Sequence, residues 1–380
     1  MMNFLTKQKW QLVVLLQVCL LTFASCEDDN NFTGDAADYI TMNVVSSNMQ
    51  NGRALIEDDS MLEEECSSAG NKSIGIKSFY EKNGTVINNV LDSDGDVSLI
   101  YDKGTTWENN DGWTYGETAT KWVDNATYTF TAYFPMKVVK EVTASETSPF
   151  ITRFSSEFYQ EDFMMAYSQV KSYNSGKAVN LDMLHVLSAL QFHLSFSDTE
   201  NRLEVPHNDS DFLTAFWFEN TKIEQGLCTI GELEFGVYDE GGNIDNETGN
   251  NIKWNCISRP KPTTDAESHK FYEWEHAEGV EFYSNESEIV RATAYSKGTG
   301  MFAQNNGFVL TIPQDYDGSS NFCFCLKSTG EKVYRASLPA RKFEPGTRYI
   351  YYIRLGKTNV SVDVKILPWN ELKSSADITL

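Results

Sequence analysis

The sequence predicts an all-β protein, and three observations lead there. Aromatic residues make up 13% of the chain, and with its many Thr and Val residues they favour pleated, half-buried strands. Short runs of alternating or continuous apolar residues recur along the chain, punctuated by Gly, Asn and Pro. No helix-period stretch of comparable strength interrupts them. With an export signal set aside, about 355 residues remain, a length that divides naturally into two domains of ordinary size.

The export signal is expected over residues 1–25. Lys7 and Lys9 precede the apolar run Leu12 to Leu21, which ends in Thr22-Phe23-Ala24-Ser25-Cys26. An apolar core of about ten residues is too short for the roughly 20 that a spanning helix needs. The small residues Ala24 and Ser25 directly before a cysteine resemble a bacterial lipobox, with Phe23 where Leu is more usual. In lipobox proteins the cysteine thiol takes a diacylglyceryl group and the peptide is cut on its amino side, so Cys26 is the expected lipidation site. An ordinary secretory signal cut near Ala24 is the alternative, and it also exports the chain. Residues 26–38 begin Glu27-Asp28-Asp29, resembling the acidic tag of outer-membrane surface lipoproteins of the Bacteroidetes, and read as a flexible acidic tether.

The formal net charge is −23. Residues 1–25 contain Lys7 and Lys9 and no acid, so their removal takes −23 to −25. A surface of that sign repels phosphate backbones and anionic headgroups, which excludes nucleic acid as a partner. The cysteines after Cys26 are Cys66, Cys228, Cys256, Cys323 and Cys325. Their number is odd, so any bridge leaves a free thiol, and the pairing stays open. On a strand, Cys323 and Cys325 share a face; without a His or second Cys pair at zinc-site spacing they read as buried thiols rather than metal ligands.

Past the tether, Tyr39 to Val45 reads as a first strand. It runs into the polar stretch Ser46 to Ala54, which has almost no apolar residue to bury and is expected to be an exposed, protease-accessible loop containing Arg53. Strand signals follow at 73–80, 84–90 and 97–101. Between the last two, Asp92, Asp94 and Asp96 stand at alternate positions, but Val97 and Lys103 occupy places where a calcium loop needs Gly and Glu. A hairpin turn is the better reading. Trp107, Trp113 and Trp122 suggest a sugar-stacking platform, yet Thr127 to Phe134 follows as an alternating strand, which favours a packed interior.

In the middle of the chain Leu190, Phe192, Leu194 and Phe196 share one strand face and His193 falls on the other. His185 lies upstream in what reads as the same strand-like segment. With no carboxylate at a telling sequence distance, both histidines read as structural. Later strands are expected at 226–238, 307–313, 321–326, 349–355 and 359–366, with a turn at Phe343-Glu344-Pro345-Gly346-Thr347. No GxSxG, HExxH, phosphate loop or compact Cys/His set is present, so no catalytic, cofactor-binding or metal-binding residue is expected and the chain does not read as an enzyme.

Taken in order, several of these pieces resemble the fimbrillin family, the type V pilin-like lipoproteins of the Bacteroidetes. They are the lipobox with its acidic follow-on, the Arg53-Ala54 loop, the run from Trp122 through Tyr128 to Pro135, and Glu161-Asp162-Phe163-Met164. The others are His185 to Leu190, the turn Phe343 to Tyr349, and the closing Ile366-Leu367-Pro368-Trp369. The resemblance implies two tandem transthyretin-like β-sandwich domains, here at 39–178 and 179–380, and a structural or adhesive role in surface fimbriae. It implies anchoring in the outer membrane through a lipid on Cys26, partnership with other fimbrial subunits, and a receptor on a host or bacterial surface. It also implies processing between Arg53 and Ala54, loss of the first strand, and replacement by a strand from a neighbouring subunit. Candidate donor residues at the other end are Val360, Val362, Val364, Ile366, Ile378 and Leu380. A surface glycan-binding lipoprotein is the alternative.

Overall fold

The computed structural model describes residues 39–46, 59–92, 95–102, 112–115, 120–138, 142–144, 150–157, 160–171, 177–196, 210–236, 251–262, 270–283, 308–356 and 360–368. In chain order they form β1 (Met42–Ser46), the helix α1 (Asp59–Cys66), β2 (Ile74–Lys82), β3 (Thr85–Asn88), β4 (Val97–Asp102), β5 (Gly112–Tyr115) and β6 (Thr127–Phe134). Next come β7 (Val142–Ala144), β8 (Phe150–Ser155), β9 (Met164–Lys171), β10 (Val179–His185), β11 (Ser188–Phe196), β12 (Ser210–Asn220), β13 (Ile230–Gly236), β14 (Asn251–Ser258) and β15 (Phe271–Tyr283). The chain continues through β16 (Phe308–Thr311), β17 (Gln314–Tyr316), β18 (Ser320–Leu326), β19 (Val333–Ser337), β20 (Arg341–Phe343), β21 (Thr347–Leu355) and β22 (Val360–Pro368). The all-β expectation holds.

The first sheet has eight strands in the order β1-β10-β9-β6-β2-β4-β5, with β3 also on β2. Strand β6 shows why the sequence folds here. Tyr128, Phe130, Ala132 and Phe134 alternate along it and all enter one core with Ile74, Ile76, Leu99, Met164 and Leu181. The intervening Tyr133 faces a second cluster with Phe154, Phe163, Met165 and Leu233. Both faces of the strand are therefore covered, and it reads as a near-continuous apolar run. The β2–β3 turn needs left-handed backbone at two successive positions, which Asn83 (φ 53°) and Gly84 (φ 75°) supply,.

Two sheets, β16-β11-β21-β22 and β15-β12-β18-β19, share a further core. Leu190, Phe192, Leu194, Tyr349, Tyr351 and Ile353 from one meet Phe216, Phe218, Phe322 and Phe324 from the other. Phe192 and Phe322 stack with ring centroids 4.2 Å apart. A fourth sheet, β14-β13-β8-β7, and the ribbon β17–β20 complete the described strands.

Three details depart from the sequence reading. The helix α1 was not anticipated, because Asp59 to Cys66 carries its inward residues only at Leu62 and Cys66. That i, i+4 pair is too sparse to stand out, although it suffices to anchor one short helix. Gly95 N donates to Asp92 O, but β3 and β4 form no hairpin with each other: each pairs with β2. Finally, His185 and His193 do not share one strand. They lie on β10 and β11, which belong to different sheets and meet at Val186–Leu187. Strand pairing also crosses residue 178. Strand β10 joins the first sheet, and β8 pairs with β13.

Candidate functional site: the edge held by the first strand

Strand β1 closes one edge of the first sheet and runs parallel to β10, with Met42 opposite Val179, Val44 opposite Leu181 and Ser46 opposite Met183. Its alternation points Ile40, Met42 and Val44 inward, at 1%, 7% and 4% exposure, into the core they share with Val179, Leu181 and Met183. On the outer face Asn43 Nδ2 donates to Asn180 Oδ1 at 3.1 Å. The sequence-read first strand is thus an edge strand with a buried apolar row. Parallel pairing of residues so far apart in the chain left no sequence signal.

The entry to β1 is clamped by Tyr115 at the end of β5 and by Thr120 and Trp122. Ile40 N donates to Thr120 O at 2.8 Å, Tyr115 OH donates to Ile40 O at 2.7 Å, and Trp122 Nε1 donates to Tyr39 O at 3.1 Å. Burial pushes the Tyr115 phenol upward, opposed by its hydrogen bonds with Thr120, so it stays a neutral donor. The exit is tied to α1: Asp59 Oδ1 accepts from Ser46 N at 2.6 Å and from Ser46 Oγ at 2.8 Å. Sequence reasoning missed Ser46, Asp59, Tyr115 and Thr120. The signal for Asp59 was an acid opening a short Glu-rich segment, a helix-start cue.

Cys26, Arg53, Ala54, Ile378 and Leu380 lie outside the described residues. Val360, Val362 and Val364 are brought together on β22, where they pack against the shared core of the two C-terminal sheets. Ile366, on the same strand face, is 56% exposed. Strand β22 is antiparallel to β21 along its whole length, from Leu355 opposite Val360 to Thr347 opposite Pro368.

The other candidates resolve into packing. Trp113 sits edge-on to Tyr101, and Trp122 sits edge-on to Tyr128 and Phe130. Trp107 is outside the described residues. Asp96 turns to Lys77 at 3.0 Å and to the Tyr133 hydroxyl, engagements that compete with any cation. His193 lies against the Tyr352 ring. His185 Nδ1 meets Asp162 Oδ1 at 2.8 Å with both side chains buried, a carboxylate partner that sequence distance concealed. Among the described residues no group of three or more His, Cys, Asp or Glu is placed to hold a metal ion. Cys228, two residues before β13, forms a disulfide with Cys256 on β14. Burial raises the Cys323 and Cys325 thiols, which disfavours the thiolate that metal binding requires.

Residues 65–223 match the model of the fimbrillin-like family, so the resemblance read from the sequence is shown over that stretch. No curated protein matches the chain. Among solved structures, the chain is similar to a proposed cell adhesion protein from Bacteroides uniformis. The two are 13% identical, 88% of this chain and 100% of that one are covered, and the TM-score is 0.47. It is also similar to a fimbrial protein from Bacteroides vulgatus, at 12% identity, coverage of 87% and 99%, and TM-score 0.46. A fimbrial assembly protein from Parabacteroides distasonis shows 13% identity, coverage of 78% and 90%, and TM-score 0.34.

Proposed function

We propose that this chain, fimbrillin-like over residues 65–223, is a structural or adhesive subunit of cell-surface fimbriae that is exported as a lipoprotein precursor and assembled by strand exchange. One observation carries the reading: the strand nearest the Arg53 loop is an edge strand whose alternate apolar residues fill a core. Lipidation at Cys26 holds the precursor on the outer membrane, and a cut between Arg53 and Ala54 frees residues 26–53 with β1. Loss of Ile40, Met42 and Val44 re-exposes apolar surface worth roughly 1.5–3 kcal/mol per side chain. The bared edge of β10 also presents unpaired backbone groups. A strand from a neighbouring subunit relieves both costs by adding to the same edge.

In return this chain donates residues from its far end. The candidates are Val360, Val362, Val364 and Ile366, which alternate along β22, and Ile378 and Leu380 beyond it. The units acting as building blocks are the first sheet with α1 and the paired sheets around Phe192 and Phe322.

The test is limited cleavage at Arg53 in purified protein, followed by electrophoresis under mild denaturation. Ladder-like oligomers are expected from cleaved protein and none from Arg53→Ala, which is expected to fold normally because the polar sequence Ser46 to Ala54 has almost no apolar residue to bury,. Polymers formed from the uncut variant would overturn the reading.

A further inference from the structure

The two ends of β1 are held in chemically different ways. At its start the hydrogen bonds go to main chain: the carbonyls of Tyr39 and Ile40 accept from Trp122 and Tyr115, and Ile40 N donates to Thr120, while Lys121 Nζ lies 5.0 Å from the centre of the Tyr39 ring. Any residue but proline offers those main-chain groups. At its end Asp59 takes two bonds with a single oxygen, one from a backbone N–H and one from the Ser46 hydroxyl. The second contact reads a side chain.

Asp59 is tied to the core through its helix. It opens α1, whose Leu62 and Cys66 are each 0% exposed in the core beneath the sheet. Ser46 itself is 4% exposed and stands fourth in the inward row after Ile40, Met42 and Val44. A slip of one residue turns that row outward, and a slip of two places an apolar side chain where Asp59 expects a hydroxyl. An apolar residue in the place of Ser46 keeps the backbone N–H bond to the exposed Asp59 carboxylate and loses the hydroxyl bond,.

We propose that Asp59 is the specificity-determining residue of this edge: it fixes the register of the strand paired with β10 and selects one that carries Ser in the place of Ser46. The occupant this edge fits is a strand of a second chain with apolar residues at three alternate positions and a serine two places further on. That extension to a second chain rests on the strand-exchange reading, whereas the register role in β1 does not. In this chain's own C-terminal run Ile366 follows Val360, Val362 and Val364, so self-association goes without the hydroxyl contact and a strand that carries the serine is preferred over it.

The experiment is a double-mutant cycle on the full, uncut chain with Ser46→Ala, Asp59→Ala and both, read by hydrogen exchange of the amides at 42–46. Asp59→Ala, which removes both bonds, is expected to raise exchange roughly tenfold, Ser46→Ala, which leaves the backbone bond, by less, and the double no further than Asp59→Ala alone. Amides of β6 report whether the fold as a whole survives, and they should not change. Additive effects, or none, would overturn the register role. A second arm uses chain cut at Arg53 and synthetic peptides with the sequence of residues 39–46, carrying Ser or Ala at the last place. Preference for the Ser peptide, abolished by Asp59→Ala, supports selection; equal binding of the two overturns it. If neither binds while the cycle couples, the strand-exchange reading and the extension fall, and the register role stands.

Discussion

The first and last described strands are both edge strands, and the contrast between them indicates which one opens more readily. Strand β1 pairs over five residues, in parallel, with a neighbour far away in the chain. Strand β22 pairs over nine residues, antiparallel, with the strand that immediately precedes it. Parallel pairing is slightly weaker per residue, and a longer ladder resists opening in proportion to its length. Ends that open locally sit at the low end of the stability spectrum. Side-chain clamps at both ends of β1 hold a strand that pairing alone would hold poorly, whereas β22 relies on its ladder and on valines packed against the core.

Predictions that break or sharpen this contrast can be ranked by size. Tyr351, fully buried on β21 and 5.2 Å from Phe192 in a stacked arrangement, anchors the sheet that β22 completes. Tyr351→Ala should cost about 3–5 kcal/mol in global unfolding by denaturant. A loss confined to β22 would mean that the C-terminal sheet is as separable as the first edge.

Met42→Ala should open β1 by about 2–3 kcal/mol, near the low end of such truncations because an edge is free to relax. The loss should appear in hydrogen exchange at 42–46 and 179–183 and leave β21 unchanged. Loss of protection throughout the protein would make β1 an integral element and end the contrast.

Cys66 offers a smaller effect, visible in pH. Burial, helped by Glu65, pushes its thiol from 9.0 up to about 12. The folded state therefore keeps a proton that the unfolded state releases, so this contribution to stability is complete below pH 9 and declines as pH rises toward 12. An aromatic disulfide reagent at pH 8 should label the half-buried Cys325 well before Cys66, followed by mass spectrometry of the labelled peptides. Fast labelling of Cys66 would indicate that the core under β1 opens much more readily than its packing implies.

The smallest effect belongs to the exposed Arg354–Asp363 pair, 2.9 Å apart across β21 and β22. Asp363→Asn should change stability by less than about 1 kcal/mol, and less still in high salt. A larger loss would show that β22 depends on a surface clamp after all and so resembles β1.

The sequence by itself determined the class of fold and the placing of most strands. The alternating runs at Thr127–Phe134 and Leu190–Phe196, the valines of β22 and the Phe343–Thr347 turn were legible because side-chain direction along a strand has a fixed period of two. It also marked Tyr39 to Val45 as a strand followed by a polar stretch. Tertiary structure alone decided the rest. That β1 lies parallel to β10, that Cys228 bonds to Cys256, and that Asp162 meets His185 are each pairings between distant positions, and a linear pattern carries no record of which strand edges meet. The Ser46–Asp59 contact is local in the chain but equally hidden, because it exists only once Leu62 and Cys66 have buried one face of a helix too short and too sparsely apolar to announce itself.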